Sequence, residues 1–77
     1  MSLDKLKIGQ VAIIEELPKD SPHFLKLLSL GILPGDTIEV TGKAFFGGPL
    51  TLKHSNNTFF ALRKSHAKEI LVKIVES

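Results

Sequence analysis

Few residues of this chain could do chemistry. They are three histidines, His23, His54 and His66, a serine two positions before the first of them, and the adjacent acids Glu15-Glu16. Ser21 and His23 come nearest to a nucleophile and its base, but no nucleophile-elbow motif surrounds them and no positioned acid accompanies them in sequence. Glu15 and Glu16 are neighbours in an extended segment, so their side chains leave opposite faces and cannot act as one carboxylate dyad. No His-x-x-x-His or equivalent spacing gathers the three or four ligands that a divalent first-row ion requires. His54 falls in phase with Leu50 and Leu52 near a strand end, and His66 opens a helical turn. Three unrelated surface histidines are therefore expected. Gly47-Gly48-Pro49 is glycine-rich, but it precedes a strand and lacks the Lys-Ser/Thr of a nucleotide loop. The absence of cysteine excludes disulfides, thiolate metal sites and cysteine nucleophiles. These residues predict no enzyme, no cofactor and no metal site.

The elements that carry them are short. Lys7 to Leu17 reads as a first strand, with Val11, Ile13 and Leu17 in one phase and Ala12, Ile14 and Glu16 in the other; Pro18 ends it. Ser21-Pro22 is a helix start, with Ser21 as cap and Pro22 at the first helical position. The helix is expected to run to Leu30, with Gly31 as a left-handed stop and Pro34-Gly35 at the centre of a type II turn. Thr37 to Thr41 alternates as a half-buried strand, and Gly42 to Pro49 is a loop around Phe45-Phe46. Leu50 and Leu52 mark a third strand, Ser55-Asn56-Asn57 a hairpin turn, and Thr58 to Arg63 a fourth strand. Ser65 could cap one turn over His66–Glu69, before a last strand carrying Ile70, Val72 and Ile74.

Five short strands joined by tight turns predict a mainly β protein. The expected form is a small SH3-like five-stranded barrel, with one α-helix inserted after strand 1 and a short helical turn before the last strand. The 77 residues have room for a single domain, residues 1–77, whose apolar core must hold the fold without staples. No apolar run is long enough for a membrane-spanning helix and no secretory signal is visible, so a cytoplasmic location is expected. The net charge of +2 is small and scattered.

The helix is the most informative element. Taking 100° per residue from Phe24, the apolar side chains Leu25, Leu27, Leu28 and Leu30 spread over an arc of roughly 220°, wider than the roughly 100° that one core requires. Leu27 and Leu30 are expected to face the barrel, with Leu25 and Leu28 as the surplus and Phe24 between the two. Phe45 and Phe46, adjacent in a loop, cannot both turn inward easily and add a second exposed apolar contact. Such patches commonly mark protein interaction sites, although a small barrel could also use the helix as a greasy plug.

Several stretches are similar to one family. Leu27-Leu28-Ser29-Leu30-Gly31-Ile32-Leu33-Pro34-Gly35-Asp36 resembles the helix-end signature of ferrous iron transport protein A, the FeoA family. Leu6-Lys7-Ile8-Gly9-Gln10, Gly47-Gly48-Pro49-Leu50, Ala61-Leu62-Arg63-Lys64, Ala67 and Ile70-Leu71-Val72 fit the same pattern in order along nearly the whole chain. His66 departs from it, standing where the family often has an acid. The resemblance implies a small cytoplasmic SH3-like accessory protein of bacterial ferrous iron uptake. Its partner would be the cytoplasmic part of the membrane transporter FeoB, which carries a G-protein domain. The same module also occurs in iron- or manganese-dependent repressors, but this chain has no DNA-binding winged helix. The expected partner-binding residues are Phe24, Leu25 and Leu28, bordered by Phe45 and Phe46, with self-association as another use of the same surface.

Two other readings follow from the residues. One is a nucleic-acid-binding barrel in which Lys43, Lys53, Arg63, Lys64, Lys68 and Lys73 meet phosphates and Phe45, Phe46, Phe59 and Phe60 stack on bases. The other is a divalent-metal-sensing module.

Overall fold

The structure is a computed structural model, and it describes residues 1–55 and 57–75. A 3₁₀ turn, Leu3–Lys5, leads into strand β1, Val11–Glu16. Helix α1, Phe24–Ser29, follows, then β2, Thr37–Lys43, β3, Leu50–His54, and β4, Thr58–Leu62. A second short helix, α2, Lys64–Ala67, precedes β5, Leu71–Ile74. The strands form one antiparallel sheet in the order β4-β3-β2-β1-β5. This is the expected mainly β, SH3-like plan. The ring of hydrogen bonds is not closed, however, because β4 and β5 are the two ends of the sheet and do not pair. The outer edge of β5 is covered in part by the chain's own start. Val72 N–H donates to the Met1 carbonyl at 2.7 Å, Leu3 N–H donates to the Ile70 carbonyl at 2.9 Å, and Ser2 bridges Leu71.

Alternation explains which faces turn inward. Ala12 and Ile14 of β1, Ile38 and Val40 of β2, Leu50 and Leu52 of β3, and Val72 of β5 are buried together with Leu62 of β4. A register shift in β1 between Ile14 and Glu16 breaks the period-2 pattern, so Leu17 joins Ala12 and Ile14 in the core instead of following Val11 and Ile13. A second shift, between Val40 and Gly42, bends β2 and carries it to Lys43, two residues past the expected end. Strand β1 begins later than expected because Lys7–Gln10 is a turn, with Gln10 N–H donating to the Lys7 carbonyl at 3.0 Å. Leu3, which opens the 3₁₀ turn, and Leu6, which follows it, are both buried, a core contribution that the sequence pattern did not reveal.

Three local expectations need correction. Helix α1 starts at Phe24, so Pro22 is not its first residue; Ser21 Oγ accepts from His23 N–H at 3.1 Å within the preceding turn. Leu30 does not face the core. It is 39% exposed, and Ile32 is fully buried in its place, because Gly31 at φ +81° turns the chain back under the helix. Ser65 lies inside α2, whose N-cap is Arg63, and this turn is α-helical, with Ala67 N–H donating to the Arg63 carbonyl and Lys68 N–H to that of Lys64. The type II turn is found as expected, with Asp36 N–H donating to the Leu33 carbonyl at 3.1 Å and Gly35 at φ +93°. In the β3–β4 turn Asn57 is left-handed (φ 62°), and Asn56 lies outside the described residues.

Leu27 is the side chain by which α1 enters the core. Leu27→Ala is expected to cost about 2–5 kcal/mol, a large share of the stability of a domain this size. The exposed neighbour change Leu25→Ala should stay within about 0.5 kcal/mol. Urea unfolding midpoints of the two variants check this contrast.

Candidate functional site

On the helical projection, Leu27 points into the core, while Phe24 and Leu28 flank that direction and pack half-buried against it. Leu25 points away and is 75% exposed. The expected surplus is therefore carried chiefly by Leu25, with Leu28 sharing its surface between the core and solvent, and Leu30 adding exposed area on the other flank. Leu33, after the helix, is half exposed as well.

Phe45 and Phe46 both turn outward. Phe45 is 88% exposed and Phe46 fully so, with ring centroids 6.5 Å apart. Their loop is closed by Ala44 N–H to the Pro49 carbonyl at 3.1 Å and Gly48 N–H to the Phe45 carbonyl at 3.2 Å. Phe46 is left-handed (φ 58°), a costly conformation for a bulky aromatic residue. The tight loop thus holds two phenylalanines out in water. Of the four aromatic rings offered for base stacking, Phe60 packs against the core, with His54 at its edge (centroids 6.3 Å), and is withdrawn from that role.

The histidines are not three unrelated surface groups. His54 Nε2 lies 2.7 Å from Asp36 Oδ2, and the same carboxylate oxygen accepts from Leu33 N–H at 3.0 Å, so this contact holds the Pro34-Gly35 turn against β3. His23 and His66 stack with ring centroids 3.9 Å apart and planes tilted by 43°. Glu69, just beyond α2, joins them: Oε2 lies 3.0 Å from His23 Nδ1, and Ser21 Oγ donates to the carboxylate at 2.9–3.0 Å. An acid does accompany Ser21 and His23 after all, supplied from 46 residues along the chain. The order is wrong for nucleophilic catalysis. In a hydrolytic triad the imidazole lies between hydroxyl and carboxylate, whereas here the carboxylate lies between hydroxyl and imidazole, and Ser21 Oγ donates to the carboxylate instead of to His23. Among the described residues no group of three or more His, Asp or Glu side chains is arranged to hold a metal ion. The cluster instead clasps the start of α1 to α2. It was hidden in the sequence because Ser21 and Glu69 are 48 residues apart and neither belongs to a motif.

The family model described as the FeoA domain matches residues 1–74. The chain belongs to the FeoA family. Among solved structures it is similar to a FeoA-like protein from Clostridium acetobutylicum, at 30% identity over 100% of this chain and 88% of that one, with a TM-score of 0.91. It is similar to iron(II) transport protein A from Clostridium thermocellum, at 35% identity over 97% of this chain and 46% of that one, with a TM-score of 0.88. The FeoA of Stenotrophomonas maltophilia, solved with zinc and described as a procaryotic SH3 domain protein, matches at 28% identity over 95% of this chain and 89% of that one, with a TM-score of 0.74. No curated protein matches the chain. Membership in the FeoA family places it among ferrous-iron-transport-associated proteins. No helix among the described residues is long and apolar enough to cross a membrane.

The clasp has a pH signature. His66 is held below the ordinary imidazole range by burial first, then by the neighbouring charges of His23, Lys26 and Arg63, with Glu69 acting in the opposite sense. A histidine whose folded pKa is lowered costs the folded state nothing above 6.5, its ordinary value, and increasingly more as pH falls from there toward the lowered value. Glu69 is held below its ordinary value by hydrogen bonds from His23 and Ser21, so its contribution is full above 4.5 and is lost at lower pH. The melting temperature should therefore drop in two stages on acidification, the first beginning near pH 6.5. His66→Gln should flatten the first stage and Glu69→Gln the second, as followed by circular dichroism.

Proposed function

We propose that this chain is a small cytoplasmic accessory protein of ferrous iron uptake, residues 1–77 acting as one domain, that binds the cytoplasmic part of the FeoB transporter and regulates it by contact. The observation that supports the reading is Leu25. A leucine 75% exposed on a helix whose inward face is already filled has no role in this chain's own core. Phe24 and Leu28 extend the patch, and Phe45 and Phe46 supply a second contact. Burying two such side chains yields roughly 1.5–3 kcal/mol each before the costs of association, which suits a weak, reversible complex. Family membership supports the transport context.

Leu25→Asp is the cleaner probe of this contact, since a charge at Leu28 would also intrude on the core. The variant should keep the wild-type melting temperature and weaken binding to the cytoplasmic part of FeoB by about 10-fold or more. Phe46→Asp should weaken it further. Calorimetric titration checks both. Wild-type affinity in the folded Leu25→Asp variant, with undiminished ferrous iron uptake in cells, would overturn the reading.

A further inference from the structure

The ground beside α1 carries a charge asymmetry that the whole chain lacks. Ten basic residues outnumber eight acidic ones overall, yet four of those eight acids, Glu15, Glu16, Asp20 and Glu69, line two hollows that share Glu16, Leu17 and Lys19 as a common wall. One hollow, of about 270 Å³, is floored by Leu17, Phe24, Leu28 and Pro34, with Glu15 and Glu16 on its rim. The other, of about 360 Å³, opens from the same wall toward Asp20, Ser21 and Glu69. Lys19 is the cation in the lining of either hollow among the described residues. Among the described residues Glu15, Glu16 and Asp20 make no ion pair, while Glu69 is occupied by Ser21 and His23.

The trough is therefore apolar at one end and anionic along its wall. Phe24 and Leu28 are half-buried because their inner faces pack on the core while their outer faces form the floor. An occupant must offer apolar surface to that floor and positive charge to the carboxylates. Phosphate backbones and anionic lipid surfaces carry the wrong sign, whereas a polypeptide offers a large apolar side chain beside a cationic one.

We infer that this trough receives a basic segment of the partner protein, seating one large aliphatic or aromatic side chain on Leu17, Phe24, Leu28 and Pro34 while a neighbouring lysine or arginine pairs with Glu15, Glu16 or Asp20. The inference rests on the docking reading above and narrows it to the partner's chemistry. The apolar anchor supplies most of the affinity, and the carboxylates select the partner and speed its encounter.

The test has two arms. In the first, the isotope-labelled full chain is titrated with two short peptides, identical except that lysines flank a central leucine in one and glutamates in the other. The lysine peptide should shift the resonances of Leu17, Phe24 and Leu28, with an effect that fades as salt rises; the glutamate peptide should not. The triple variant Glu15→Gln, Glu16→Gln, Asp20→Asn, which exchanges exposed acids for near-isosteric amides, should weaken the lysine peptide by about 10-fold. Equal response to both peptides, or response to neither, overturns the inference. In the second arm, the triple variant and Leu25→Asp are each titrated against the cytoplasmic part of the transporter. Loss with both variants supports the inference. Loss with Leu25→Asp alone removes the acidic trough and leaves the docking reading standing. Wild-type binding by Leu25→Asp removes the docking reading, and the peptide arm still decides the trough.

Discussion

A six-residue helix cannot stand on its own in water, because fixing its first turn costs more than so few backbone hydrogen bonds return. In this protein α1 persists because Leu27 is sunk into the core and Ile32, immediately after the Gly31 turn, is sunk beside it. Those two anchors fix the rotation of the helix. Once Leu27 points inward, the geometry of 100° per residue places Phe24 and Leu28 at the margin and leaves Leu25 in solvent. The exposed apolar surface is thus a consequence of how the helix is anchored, not of a core too small to receive it.

The clasp of Ser21, His23, His66 and Glu69 works on the same element from its other end. Among the described residues, α1 has no side-chain cap, so the turn before it is held by a carboxylate reaching over from beyond α2. This couples the start of the helix to the segment that feeds β5, and β5 is in turn paired with β1 and with the chain's first residues. The helix that carries the proposed contact is therefore tied to the sheet by two buried aliphatic side chains and one polar cluster that responds to pH.

The order and type of nearly every element could be read from the sequence because each is punctuated by a residue with a backbone reason to be there. Gly31 and Gly35 take left-handed conformations that end the helix and turn the chain, and Asn57 does the same before β4. Alternation gave Ile38, Val40, Leu50 and Leu52 correctly. Alternation misled at β1, where a bulge after Ile14 moved Leu17 to the opposite phase, and the helical projection misled at Leu30, where a shorter helix handed the core position to Ile32. Period arguments assume unbroken geometry and cannot foresee such shifts. The histidine cluster was out of reach for a different reason. It joins residues 46 to 48 positions apart, and nothing local distinguishes Glu69 from any solvated acid.

The acidic trough follows the same logic. Glu15 and Glu16 leave opposite faces of an ideal strand, which argued against their acting together, yet both line the hollow beside α1 because the register shift falls between Ile14 and Glu16. One irregularity thus brings Leu17 into the core and places two carboxylates on the rim above it. Bulges in sheets commonly re-aim side chains where a strand meets a binding surface, and here the bulge joins an apolar floor to an anionic wall on the strand that precedes the helix. The discrimination proposed for this face therefore depends on backbone register as much as on side-chain identity.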